Sequence, residues 1–201
     1  LATVSLFAAF ADAQKTEATP ELFVFRKDIG VVSAKTENST ALSSDLSGFE
    51  AVTGDFDADG IIDVGMFDRG ARLFSVRLSR DGSSLVLSSP AVKGNTAVVA
   101  ADFDGDALSD FGVWRAGMWH TMLSSRQYGP DLTVFGIAGD VPVPADYDGD
   151  SKADFAIFRP SENRWYIRSS ESGTVRTFDL GIAGTDQLLP ADYSGDGKAD
   201  P

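Results

Sequence analysis

The chain has no cysteine and only one histidine, His120. Disulfides and zinc–thiolate sites are excluded and no His-rich centre can form, so a bound metal would have to be a hard ion held by oxygen. Basic residues are scarce, 17 against 30 acidic ones for a net charge of −13. A phosphate backbone would be repelled, which argues against nucleic acid as a partner and favours cations. Long apolar runs are also missing: outside the first ten residues nothing approaches the roughly 18 apolar positions that a membrane-spanning helix needs. The chain has no G-x-S-x-G elbow, no H-E-x-x-H, no phosphate-cradling glycine loop and no thiol nucleophile, so its motifs give no support to an enzyme.

What is present is a folded composition, 43% hydrophobic, with 20 Gly and 8 Pro to supply many turns between short elements. The apolar run Leu1 to Phe10, then Ala11-Asp12-Ala13 and a polar stretch to Pro20, matches the h-region and small-residue cleavage site of a secretory signal peptide. Residues 1–19 are therefore expected to be a truncated leader and short linker, which would make the mature protein secreted or cell-surface.

The rest of the chain repeats. Four loops align: Asp55-Phe-Asp57-Ala-Asp59-Gly60-Ile61-Ile-Asp63, Asp102-Phe-Asp104-Gly-Asp106-Ala107-Leu108-Ser-Asp110, Asp146-Tyr-Asp148-Gly-Asp150-Ser151-Lys152-Ala-Asp154 and Asp192-Tyr-Ser194-Gly-Asp196-Gly197-Lys198-Ala-Asp200. Between the loops, Gly136-Ile-Ala-Gly139 returns as Gly181-Ile-Ala-Gly184, and Pro144-Ala-Asp-Tyr147 as Pro190-Ala-Asp-Tyr193. Glu21-Leu-Phe-Val-Phe-Arg26 is similar to Asp154-Phe-Ala-Ile-Phe-Arg159 and marks an earlier repeat without an aspartate loop. The period divides the chain into 20–54, 55–101, 102–145, 146–191 and a partial 192–201 that breaks off where a strand is due.

Within one repeat, Phe111 to Arg115, Met118 to Leu123, Leu132 to Ile137 and Val141 to Ala145 are rich in β-branched and aromatic residues and are separated by turn residues. Four strands per repeat of about 45 residues predict an all-β fold of propeller blades, about four in number and so a partial ring. A parallel β-helix is the alternative, although its rungs are normally shorter.

Each loop sets acidic or hydroxyl side chains at positions 1, 3, 5 and 9 with small residues between them, so the chain can curl and aim alternate side chains at one centre. Calcium accepts six to eight oxygens in irregular geometry, and magnesium does not. The loops hold 15 of the 30 acidic residues, a crowding of like charge that is costly without a counterion. An EF-hand would need Glu at position 12, where Met66, Val113 and Ile157 stand.

These loops, each followed by an aromatic-bearing strand, resemble the FG-GAP/VCBS repeats of integrin alpha-subunit propellers and of many secreted bacterial proteins, over residues 20–201. The resemblance implies calcium held by side chains 1, 3, 5 and 9 and the carbonyl of residue 7. The first site would be Asp55, Asp57, Asp59, Ile61 and Asp63, the second Asp102, Asp104, Asp106, Leu108 and Asp110, and the third Asp146, Asp148, Asp150, Lys152 and Asp154. A fourth, of Asp192, Ser194, Asp196, Lys198 and Asp200, is expected to be the weakest because Ser194 replaces a carboxylate. Ala107 and Ser151 depart from the glycine usual at position 6.

Two further sets recur. Trp119-His120, Trp165-Tyr166 and Leu73-Phe74 could stack on sugar rings or, as large aromatics at equivalent positions usually do, fill the space between blades. Arg26, Arg115 and Arg159 could pair with loop aspartates, bind an acidic ligand or pair at a blade edge. The function expected is a calcium-stapled structural or adhesion module for an extracellular protein or glycan; the alternative is the scaffold of a secreted polysaccharide lyase or hydrolase.

Overall fold

The computed structural model describes residues 49–201, apart from 91, 93 and 95, and the backbone of three earlier strands. Those three, β1 (Val4–Ala8), β2 (Leu22–Arg26) and β3 (Val31–Ala34), form an antiparallel sheet. The expected leader falls mostly outside the described residues; within it, β1 pairs with β2. The segment likened to residues 154–159 is indeed a strand, β2, matching β13 (Phe155–Arg159).

Three four-stranded antiparallel meanders follow. Sheet one is β4 (Phe49–Gly54), β5 (Asp63–Asp68), β6 (Leu73–Arg77) and β7 (Ser84–Ser88). Sheet two is β8 (Ala97–Ala101), β9 (Asp110–Arg115), β10 (Met118–Leu123) and β11 (Gly129–Val134), with one 3-10 turn at Ser124–Arg126. Sheet three is β12 (Val141–Pro142), β13, β14 (Arg164–Arg168) and β15 (Val175–Asp179). The first strands β4, β8 and β12 neighbour one another, while β7, β11 and β15 alternate in exposure or lie open. First strands inward and fourth strands outward is the arrangement of propeller blades. There is no α-helix among the described residues.

Each blade is held by its neighbours. Strand β9 is buried from Asp110 to Trp114 because both its faces are covered. Phe111 and Val113 pack into the cluster of sheet one with Phe56, Phe67 and Phe74, while Trp114 joins a cluster with Trp119 and Ile157 of sheet three. Between them, Gly112 leaves room for Val99, whose Cγ2 would stand 2.7 Å from an added Cβ. The recurrent aromatics are core: Phe74 and Trp119 are fully buried and Trp165 nearly so. Trp119 meets Phe155 of the next blade edge-on at 5.2 Å, and its indole donates to the Phe135 carbonyl at 2.9 Å.

The sequence repeat and the sheet are out of phase by one strand, since each aspartate loop joins the first and second strands of a sheet. Two strands also differ from expectation. The one placed at Leu132 to Ile137 runs instead at Gly129–Val134, and the one placed at Val141 to Ala145 is only Val141–Pro142 plus an isolated Ala145–Asp154 bridge. Pro130 is tolerated because β11 is outermost, and Pro142 and Pro144 remove ladder donors in the other.

Candidate metal centres

The position-1 carboxylate winds each loop. Asp102 accepts the amides of Gly105 (2.6 Å), Asp106 (3.3 Å) and Ala107 (2.8 Å). Asp55, Asp146 and Asp192 do the same for their loops. The position-5 carboxylates of Asp59, Asp106, Asp150 and Asp196 take the amides of Ile61, Leu108, Lys152 and Lys198 at 2.8–3.0 Å. Such Asx turns explain why short acidic residues alternate with small ones here. The turn needs a left-handed backbone at positions 4 and 6, filled by Gly105 and Gly149 at the one and by Gly60 and Gly197 at the other. Ala58, Ala107 and Ser151 adopt it without glycine, at φ of 55°, 69° and 67°. Ala107→Gly and Ser151→Gly are each expected to stabilise the chain by about 1 kcal/mol, read as a higher urea midpoint in chelator.

Position 9 is a buried bracket. Asp63, Asp110 and Asp154 are at most 1% exposed. One oxygen of each accepts the position-2 amide, from Phe56 (2.7 Å), Phe103 (2.7 Å) and Tyr147 (3.0 Å). The other accepts the amide of Ser79 (2.6 Å), Ser124 (2.7 Å) or Ser170 (2.6 Å), where the chain leaves the third strand. Burial pushes all three carboxyls up, that of Asp110 to about 6, against the pull of these amides. A cation beside them would offset that penalty on the charged form.

The serines were not foreseen. Ser79, Ser124 and Ser170 also donate their hydroxyls to the position-5 carboxylates at 2.8–3.0 Å. Ser125 and Ser169 reach the position-3 carboxylates of Asp104 and Asp148 at 2.6 and 2.5 Å. Only their recurrence 16, 14 and 16 residues after the position-9 aspartates could have signalled them.

The structure brings the carboxylates of Asp55, Asp57 and Asp63 within 4.8 Å of one another, and likewise Asp102, Asp104 and Asp110, and Asp146, Asp148 and Asp150. Asp59 and Asp106 turn toward their serines and lie outside these groups, as does Asp154. The fourth loop forms no such group among the described residues: Asp200 accepts from Tyr193 and Ser194, and Ser194 Oγ stands 3.5 Å from Asp192. Of the position-7 carbonyls, that of Lys152 lies 3.5 Å from Ser170 Oγ.

Two position-3 oxygens have no hydrogen-bond partner although they are buried, Oδ1 of Asp57 and Oδ1 of Asp104. The Asp57 side chain is 7% exposed, with the Arg80 guanidinium 3.9 Å from that oxygen. Orphaned carboxylate oxygens inside a ring of carboxylates fit a hard cation, because a proton-donating partner is what such atoms otherwise require.

Neighbouring loops are chained. The position-8 amides of Ser109, Ala153 and Ala199 each donate to the position-1 carbonyl of the loop before, Asp55, Asp102 and Asp146, at 2.6 Å. Lys198 reaches back to the Asp148 carbonyl at 2.8 Å. Of the recurrent arginines, the Arg26 side chain lies outside the described residues; Arg159 grips Asp140, not a loop aspartate, with two bonds of 2.8 and 3.0 Å, and no ion pair forms at Arg115 among the described residues.

No protein-family model matches the chain, and no curated protein matches it in sequence. Among solved structures it is similar to a catalytically inactive H270A virginiamycin B lyase from Staphylococcus aureus with quinupristin, at TM-score 0.52 and 10% identity, covering 89% of this chain and 60% of that one. It also matches the WD40 domain of SCAP from fission yeast at TM-score 0.40 and 10% identity, over 92% of this chain and 47% of that one. The chain thus spans about 60% of the length of the lyase. With the blade arrangement, the first likeness defines the fold as a partial β-propeller. No helix among the described residues is long and apolar enough to cross a membrane.

Proposed function

We propose that the chain is an extracellular binding module of the FG-GAP/VCBS type whose blades are stapled by calcium at the first three aspartate loops. The observation that carries this reading is the orphaned, buried Oδ1 of Asp104, on a carboxylate that converges with those of Asp102 and Asp110 to within 4.8 Å. In each site the position-1 and position-3 carboxylates would hold the ion, with Asp63 and Asp110 in the first two and Asp150 in the third, and the position-7 carbonyl and water completing an all-oxygen shell. The ion supplies positive charge where three carboxylates converge. The chain's own bonds shape the ring beforehand, through the Asx turns, the serine hydroxyls and the position-9 brackets. A set of partly exposed oxygens with irregular spacing suits the roughly 10⁻⁴–10⁻³ M affinities of extracellular calcium modules better than the octahedron magnesium requires. The bound propeller would present its faces to an extracellular protein or glycan.

Thermal unfolding in chelator and across a calcium titration, with magnesium as control, tests this. A midpoint that climbs with calcium and stays nearly flat with magnesium is the expected result. A folded chain whose midpoint ignores both ions would reduce the loops to hydrogen-bonded acidic turns.

A further inference from the structure

Between sheets two and three lies an open cleft of about 490 Å³, within the size range of small-ligand sites. One of its lining residues breaks the repeat. Val76 and Ile167 occupy equivalent places on the third strands of sheets one and three, each 1% exposed, and there the hydrophobic side chain is core. Sheet two has Thr121 instead, also 1% exposed, with its Oγ1 lacking any hydrogen-bond partner. A buried hydroxyl left unpaired where the fold elsewhere uses Val or Ile costs stability and calls for a partner from outside.

The charges around it point the same way. Arg126 is paired with Asp131 at 3.2 Å. Lys152 and Arg168 also line the cleft, and among the described residues neither has a carboxylate within ion-pair distance. Arg168 is held in place over the Phe155 and Phe135 rings, 5.0 and 5.3 Å from their centroids, so its guanidinium is positioned without being neutralised. On a chain of net charge −13, this cleft is thus lined by two cations that no ion pair neutralises. Thr133 and Ser169 add hydroxyls to the lining.

We propose that this cleft binds a carboxylated sugar unit, a hexuronate, with Arg168 and Lys152 taking the carboxylate and the Thr121 hydroxyl bonding a ring hydroxyl. The proposal rests on the binding-module reading and gives it a ligand class. Asp104 also lines the cleft, and the calcium proposed beside it would offset its repulsion of a carboxylate.

The test is a titration of the isotopically labelled chain with sodium glucuronate, glucose and acetate in calcium buffer, followed by amide shifts. Saturable shifts at Thr121, Thr133 and Phe155, with glucuronate at least tenfold tighter than either control, are expected. Thr121→Val should keep or raise the melting temperature while weakening glucuronate about tenfold, and Lys152→Gln should weaken it with the fold intact. No saturable shift, equal binding of acetate, or a Thr121→Val variant of unchanged affinity would each overturn the site. The melting response to calcium in the same samples reports on the metal reading separately, so either can fail alone.

Discussion

Phe111→Ala is expected to lower the unfolding free energy by about 3–5 kcal/mol, the range for emptying a buried aromatic position, read as the urea midpoint followed by circular dichroism. Phe111 belongs to sheet two, yet it stacks on Phe56 of the first loop at 4.3 Å with rings 12° apart and meets Phe74 of sheet one at 4.5 Å. It is fully buried. The pair repeats one blade on, where Phe103 stacks on Phe155 at 5.1 Å. The aromatic at position 2 of one loop therefore rests on the strand that follows the next loop, and the same residues that bury the core set the loops side by side. Losing Phe111 removes the aromatic stack between blade one and blade two, leaving Val113 and the Ser109–Asp55 bond to hold them. Val134→Ala, at a residue 69% exposed on the outer strand, should change stability by no more than about 0.5 kcal/mol. A Phe111→Ala cost as small as that of Val134→Ala would mean that the sheets do not pack as blades.

The loops were legible in the sequence because their chemistry is local. Carboxylates two apart with glycine between them allow few backbone paths, and the Asx turns at Asp102 and Asp106 are what such spacing forms. Strands β9 and β10 were legible to within a residue, being apolar and aromatic runs of which β9 is buried on both faces and β10 along the face of Trp119, Thr121 and Leu123. The shift at β11 and the shortening of β12 arise where local signals weaken: an outer strand with exposed Leu132 and Val134 carries a proline, and a first strand is interrupted by two. What could not be read were pairings made across sequence distance. Serines are ordinary turn residues, so nothing local distinguishes Ser124, which closes two carboxylates of the loop before it, from Ser172, whose hydroxyl contacts are with Ser169 and Thr174. Arg159 likewise offered three partners on paper. The fold selected Asp140, whose side chain is only 1% exposed, because the segment around Gly136 brings that aspartate against the end of β13.

Calcium should raise the stability of the intact chain by about 2.7 kcal/mol for each occupied site at a hundredfold excess over Kd, and Asp104→Ala should remove one such increment. The structure separates this from damage to the fold. Asp104 accepts bonds from the amide and hydroxyl of Ser125, in an exposed turn where water can replace it, while its Oδ1 is an orphan. Without an ion its removal deletes an uncompensated buried oxygen, so in chelator the variant should melt within a few degrees of the parent. At about 2–4 °C per kcal/mol for a chain of this size, a gap of about 5–10 °C should open as calcium is added. Asp110→Ala must behave differently: it strips the acceptor from the buried amide of Phe103 and the part-buried amide of Ser124, and a buried amide left unpaired costs about 1–3 kcal/mol. That loss should be present in chelator as well as in calcium. A gap between Asp104→Ala and the parent that is the same with and without calcium would show that position 3 shapes the loop and holds no ion. A gap that opens only with calcium would assign to Asp104 the role for which the rest of its loop, already saturated by backbone amides, has no other use.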